Sequence, residues 1–268
     1  MSRISGKAGN VYIASGLIED AEDAWNEQVI GEVTASADST SGNYKVGSAS
    51  AKFVVTATFI TGLIGSEVVT SMNLSSYSQL MAWVKSSVAL SANDWNIRLD
   101  DTALCGTPIV TANIPALLVD TWKLIKITAD LSGCTAIISV GLGQAVDKGA
   151  MSFWIDDLRA AKAIAGIKSW ALDFTMDTLD VTGFDSGGHR AFMPVLDQWS
   201  GSFEGFKDGA PLTIGTVLSA EFQESATLTQ VWRGEIIITG VHPGTAVDGV
   251  VTYGYDFTGT DLLEIPTA

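Results

Sequence analysis

Histidine and cysteine are scarce in this chain of 268 residues: two of each, His189 and His242, Cys105 and Cys134. The cysteines do not stand in a C-x-x-C spacing, so with two histidines there are too few ligands for a zinc site of the usual type. Two separate buried thiols fit better than a disulfide, which intracellular conditions disfavour. Basic residues are few as well, fifteen against thirty acidic ones, for a formal charge of −15 and a pI near 4.3. Such a surface repels nucleic acid and anionic membranes instead of binding them. No run approaches the roughly 18 apolar residues of a membrane span, and "MSRISGKAGNVYIASG" at the start has no apolar core of signal-peptide length. No membrane anchor and synthesis in the cytoplasm are expected. The sequence also lacks G-x-S-x-G, H-E-x-x-H and P-loop motifs, and His189 beside Asp185 and Ser186 is adjacency in a turn, not a triad. An enzyme is not expected.

What the chain does have is enough apolar material for real cores, 47% hydrophobic residues with mean hydropathy +0.28. Short apolar runs and turn signals recur, and no helical period outlasts a couple of turns except around residues 160–167. The expected fold class is all-β. Strands are expected at residues 9–14, 48–57, 78–87, 94–102, 121–131, 136–142 and 151–160, then in 167–177, 199–206, 211–224, 230–241 and 249–260. Six or more strands between residues 17 and about 161 suit a β-sandwich. The small-residue segment "AAKAIAG", residues 160–166, reads as a linker. Both parts are acidic: residues 15–163 hold nine basic against sixteen acidic residues, and residues 164–268 hold four against fourteen.

The stretch at residues 167–209, "IKSWALDFTMDTLDVTGFDSGGHRAFMPVLDQWSGSFEGFKDG", is the most patterned. Trp170, Leu172, Phe174 and Met176 alternate with Ala171, Asp173, Thr175 and Asp177, the period of a half-buried strand with one face packed and the other in water. Further on, Trp199, Gly201, Phe203 and Gly205 share a side, and glycines between aromatics indicate close approach of another backbone. A turn is expected at residues 185–189. Periodicity alone says no more than an antiparallel pair, with Asp173, Asp177 and Asp180 on a solvated face.

Three ordered segments resemble the major tail tube protein of long-tailed bacteriophages: "GIKSWALDFTMDTLDVTGFDSGG", "HRAFMPVLDQWSGSFEGFKDG" and "WRGEIIITGVHPGTAVDGVVTYGYDFTGTDLL". The family pattern of a D-T-L-D-x-T strand end, an R-x-F-x-P segment, a W-S-G-S strand and a V-D-G-x-V hairpin ending in F-x-G-T is matched by Asp177, Asp180, Thr182, Phe184, Arg190, Phe192, Pro194, Gly201, Asp248, Gly249 and Gly259. The opening "ISGKAGNVYIAS" resembles the family's first strand. Some 145 residues then intervene, and they resemble the jelly-roll sandwiches of carbohydrate-binding modules through "YKVGSASAKFVV", "WVKSSVALSANDWNIRLDDT", "NIPALLVDTWKLIKI" and "FWIDDLRA". The expected organisation is residues 1–16 as the first strand of a tail-tube-type β-sandwich or barrel, residues 17–162 as an inserted jelly roll, and residues 163–268 as the remainder. Insertion is sterically reasonable because the first and last strands of a jelly roll lie side by side.

The resemblance implies a virion structural protein of the phage tail, made in the host cytoplasm. Its copies would form stacked, hexameric rings around a channel through which genomic DNA passes without specific binding, with the jelly roll displayed outward. Implied partners are other copies of the chain and the tape measure, tail tip and terminator proteins. Asp173, Asp177 and Asp180 are the candidate channel-facing acids, since a wall that repels phosphate keeps DNA moving. A capsid decoration protein and a glycan-binding adhesin are the alternatives. Two sites in the jelly roll are weighed against plainer readings. Glu19 and Asp20 at its entry and Asp156 at its exit are hard oxygen ligands that suit a structural calcium ion, the alternative being a solvated acidic patch. Trp83 and Trp95 are candidate platforms for host-surface glycans, the alternative being core packing. No other cofactor is expected.

Overall fold

A computed structural model of the chain describes residues 9–183, 187, 189–207, 209–225, 230–245, 247 and 249–266. It is all-β, with two antiparallel sheets. The strands are β1 (Val11–Glu19), β2 (Asn26–Glu27), β3 (Val33–Asp38), β4 (Ser50–Val55), β5 (Gly62–Met72), β6 (Gln79–Ser86), β7 (Trp95–Asp100) and β8 (Val110–Asn113). They continue with β9 (Lys123–Thr128), β10 (Ile137–Gln144), β11 (Met151–Ala163), β12 (Ile167–Asp180), β13 (Phe192–Phe206), β14 (Val217–Gln223), β15 (Val231–Gly244) and β16 (Thr252–Gly259). The chain forms two compact units, one of Met1–Ile13 with Ala163–Ala268 and one of Ala14–Lys162.

The Ala14–Lys162 unit is a two-layer sandwich. One layer has the order β3-β4-β11-β6-β9 and the other β2-β5-β10-β7-β8. Alternation makes this possible: on β11, Phe153 and Ile155 turn into the core while Trp154 and Asp156 turn to the other face. The core between the layers includes Phe53, Trp95, Phe153, Leu80, Ile97 and Leu142, with Trp95 stacked on Phe153 at 4.4 Å between centroids. Strands β2, β3, β5 and β8 have no counterpart in the sequence reading. In the last three the signal is diluted by small residues: Gly65 on β5 sits where a Cβ would run into the Phe53 ring, so the position must stay bare for that ring to pack.

The helical or linker reading of residues 160–167 is corrected. Strand β11 continues to Ala163, with Ala160 and Ala161 fully buried and paired to Leu80 and Gln79 of β6. Small side chains were needed there by packing, and composition alone reads the same residues as a linker. A turn at Gly166, in the left-handed region at φ +70°, then starts β12. The first strand also runs further than residue 14, to Glu19.

In the other unit the strands follow the order β12-β13-β16-β15-β14 and then the start of β1, where Gln223 N donates to Asn10 O and Ile164 N to Val11 O. Trp199, Phe203, Leu218, Phe222, Ile236 and Phe257 build the core. Its rings are layered, Phe203 on Tyr255 and Phe222 on Phe257, each at 4.9 Å. Trp170 reaches across from β12, packing on Phe222 and donating its indole N–H to Gln223 O.

Candidate functional site

Strand β13 sorts its side chains cleanly: Trp199, Phe203 and Gly205 are buried, while Gln198, Ser200, Ser202 and Glu204 are exposed. Register carries that exposed row to its neighbours. Asp173 stands opposite Ser200, which stands opposite Thr258; Ala171 stands opposite Ser202, which stands opposite Asp256; and Asp256 stands opposite Gly240. The face opposite the core is therefore floored by Ala, Gly, Ser and Thr, with Asp173, Asp177, Glu204 and Asp256 as its acids. His242 Nε2 meets Asp256 Oδ2 at 2.8 Å, and Lys168 meets Glu204 at 3.3 Å. Glu204 and Asp256 are absent from the sequence-derived candidates. The alternation within residues 198–205 carried the signal for the first, whereas Asp256 needed the register of β16.

Beyond Asp173 the β12–β13 pair runs past its own core. Neither face is covered: Met176 is 54% exposed, Phe192 54% and Leu196 72%, with Phe174, Leu179 and Val195 comparably open. This corrects the expectation of one packed face, because the apolar row from Trp170 to Met176 meets core only as far as Leu172. A bulge re-aims the arm. Met176 pairs with Asp197 but Thr178 pairs with Pro194, so Val195 and Leu196 together stand opposite Asp177. β12 pairs only with β13, so among the described residues no strand lies along its outer edge.

The three candidate acids divide. Asp173 and Asp177 share the polar face, but the extra residue of the bulge is on β13, so alternation along β12 turns Asp180 to the face of Phe174 and Met176. Asp180 Oδ1 accepts the amide of Thr182 at 2.9 Å and its hydroxyl at 2.5 Å, and these bonds hold its carboxyl below the usual range. Thr182 Oγ1 in turn accepts the Ala191 amide, and Val181 N donates to Ala191 O. Asp180 thus closes the neck of the corner.

Of the motif residues, Arg190 and Gly249 are exposed in connections, and Phe192 opens β13. Pro194 lies where β13 has β12 as its single neighbour, so the missing N–H leaves no third strand unpaired. A Cβ on Gly201 would strike the Ala171 carbonyl and come within 2.6 Å of Phe257 Cζ. Asp248 lies outside the described residues, as do Phe184, Asp185 and Ser186 of the expected corner.

The calcium candidates are not brought together. Asp156 Oδ2 accepts the amides of Lys45 at 2.6 Å and Val46 at 3.0 Å, and burial pushes the carboxyl up to about 7. Glu19 accepts the Ala21 amide and Asp20 that of Glu22; burial, then Asp20, Asp23 and Glu67 nearby, lift Glu19 to about 7. Among the described residues no three such side chains form a metal-holding group. The glycan platforms are corrected too. Trp95 is in the core, and Trp83 is 4% exposed with Lys45 Nζ 5.0 Å from its ring centre. Both occupy inward or covered positions of a sheet, which alternation with polar residues does not distinguish from open ones.

No protein-family model and no curated protein matches the chain. Among solved structures, it is similar to a chain from the tail of an empty gene transfer agent particle, at 21% identity and TM-score 0.34 over 40% of this chain and 87% of that one. A chain from the virion of a native gene transfer agent particle gives 21%, 0.34, 40% and 89%. A putative sugar binding protein from Bacteroides thetaiotaomicron VPI-5482 gives 12% and 0.36 over 53% of this chain and 86% of that one. Scores this low establish neither a common fold nor a family.

Proposed function

We propose that this chain is a self-assembling structural subunit of a phage-type tail, with the Met1–Ile13 and Ala163–Ala268 unit forming the wall of a DNA conduit. The observation that carries the reading is the β12–β13 arm: a long two-stranded ribbon that leaves Phe174, Met176, Leu179, Phe192, Val195 and Leu196 in water. Exposed apolar rows on an unpaired edge favour addition of another chain, and a ring removes the open edges altogether. Identical copies are the simplest partner, because the same ribbon and the same open edge are present on each. The second support is the polar face. Its small side chains and its acids Asp173, Asp177, Glu204 and Asp256 set anions against passing phosphates, and the Lys168 cation at its edge is paired with Glu204.

In this reading the rings are hexameric and stacked, the Ala14–Lys162 unit stands outside because a folded sandwich is too wide for a DNA-sized channel, and neighbouring tail proteins cap the ends. The chemistry is assembly, with no reaction. Negative-stain electron microscopy of the concentrated protein tests it. Rings or hollow tubes are expected. A protein that stays monomeric at high concentration and in the presence of preformed tail tips would overturn the reading.

A further inference from the structure

One end of the Ala14–Lys162 sandwich is built from five connections, residues 28–32, 56–61, 87–94, 114–122 and 145–150. Register puts them together. Val33, Val55 and Met151 meet at this end of one layer, and Gly62, Gln144 and Trp95 meet at the same end of the other. The connections are then tied to one another. Thr56 N donates to Glu32 O at 2.8 Å, Gln144 Nε2 to Ile60 O at 2.9 Å, Ala145 N to Asp94 O at 2.7 Å and Asp120 N to Ser86 O at 2.7 Å. Leu90 and Leu117 exchange both backbone bonds at 3.0 Å. The chain enters and leaves the unit at its opposite end, where Ala14 packs with Ala161.

What this end shows to solvent is apolar. Ile30 is 90% exposed, Leu118 73% and Ile60 64%, with Val119 and Val146 half-exposed beside them. The core does not need these side chains, because Phe59, Leu90 and Leu117 are buried beneath and already close it. Charge is thin here. The connections hold one cation, Lys148, which lies 2.7 Å from the buried Asp94 carboxylate, and their exposed acids are Asp120 and Asp147. An exposed apolar side chain by itself is ordinary; several gathered at one end of a chain with a formal charge of −15 mark a contact surface.

We infer that this end is a lipid-contact surface, whose apolar tips enter the headgroup layer of a zwitterionic bilayer. Size argues for lipid over protein. Five strands about 4.8 Å apart, in two layers each about 10 Å thick, give an end of only about 500 Å², below the roughly 800 Å² that each partner buries in a stable protein interface. The tips also stand on separate connections, with residues such as Gly31, Thr58 and Ala116 between them, so they form prongs and not a flat patch. A bilayer interface is soft and accepts prongs of unequal height, each gaining in proportion to the apolar area it buries. Charge selects the lipid. With the one cation paired and an acidic chain behind it, anionic headgroups are repelled, whereas a zwitterionic headgroup carries an ammonium that Asp120 and Asp147 can face. The inference is independent of the assembly reading, since it concerns the other unit and needs no second copy.

The experiment is flotation of the full chain with vesicles of phosphatidylcholine and phosphatidylethanolamine, and with the same vesicles containing phosphatidylglycerol. The parent is expected to float with the zwitterionic vesicles, equally at low and high salt, and to bind less when phosphatidylglycerol is present. Ile30→Ser with Ile60→Ser and Leu118→Ser is expected to keep the near-ultraviolet circular dichroism of the parent and to bind vesicles about tenfold or more weakly. Phe174→Ser with Leu196→Ser, in the other unit, is expected to float as the parent does. Absence of flotation overturns the inference, as does equal flotation of parent and triple variant, loss of flotation in the Phe174 and Leu196 variant instead, or binding that requires phosphatidylglycerol and disappears with salt. A lipid-free association of the parent that the triple variant abolishes assigns this end to a second copy and overturns it too. Should the triple variant not fold, Leu118→Trp alone reports on the contact: the emission it adds to that of the parent is expected to shift to the blue with zwitterionic vesicles, and an unchanged emission overturns the inference.

Discussion

Gly259 of β16 lies flat against the indole of Trp199 on β13, with no room between them for a Cβ. The indole is held there by its N–H, which donates to Asp261 O at 2.8 Å, and a second glycine, Gly234, floors its other part. This tryptophan is where the buried half of β13 begins, so the contact marks the end of the core and the start of the arm. Gly259→Ala is expected to displace the ring and destabilise the protein by about 1–3 kcal/mol, the usual cost of overpacking. Urea unfolding followed by tryptophan fluorescence measures it.

The arm should behave differently. Phe174→Ser with Leu196→Ser removes apolar groups that already face water, so the monomer is expected to keep its unfolding free energy within about 0.5 kcal/mol. Assembly is expected to fail. Sedimentation velocity of parent and variant at matched concentration separates the two effects.

The polar face predicts a charge dependence. Asp173→Lys with Asp177→Lys puts two cations where the proposed conduit has two anions. Retention of double-stranded DNA is expected to appear at low salt and to vanish as salt rises, because it rests on counterion release. Gel-shift titration at two ionic strengths is the check, and Asp180→Lys, on the opposite face, is the comparison that should bind less.

Asp156 predicts a pH dependence. Its folded pKa, about 7, lies above the ordinary aspartate value of 3.8. From about pH 4 to 7 the unfolded chain releases a proton that the folded chain keeps, so stability falls as pH rises through that window and levels off above it. Glu19, lifted to about 7 from 4.5, works in the same direction. Asp156→Asn keeps an acceptor oxygen for the Lys45 and Val46 amides and removes the ionisation. Thermal melts at pH 4.5 and 8 should show a shallower loss of Tm for the variant.

How much of this was legible beforehand depended on range. The period of two in residues 170–177 and 199–206 announced β12 and β13, because alternation is a local property of a strand. The acids Asp173 and Asp177 could be named from it. Which face Asp180 takes could not, since that depends on a bulge in the partner strand β13, a property of the pair. Trp83 and Trp95 alternate like any half-exposed tryptophan, and their covering comes from Val46 and Phe153, distant in sequence. β3 and β8 were silent because their small residues form no hydrophobic run, and β5 because Gly65, Ser66 and Glu67 interrupt its apolar residues.

An all-β chain, its acidity, the places of most of its strands and the scarcity of reactive side chains all follow from composition and local period. Tertiary structure decided the rest. It ended the core at Trp199 and left both faces of the arm uncovered, and it set Asp173, Glu204 and Asp256 on one face of three neighbouring strands. Those are consequences of register and of contacts between distant residues, which no local pattern encodes.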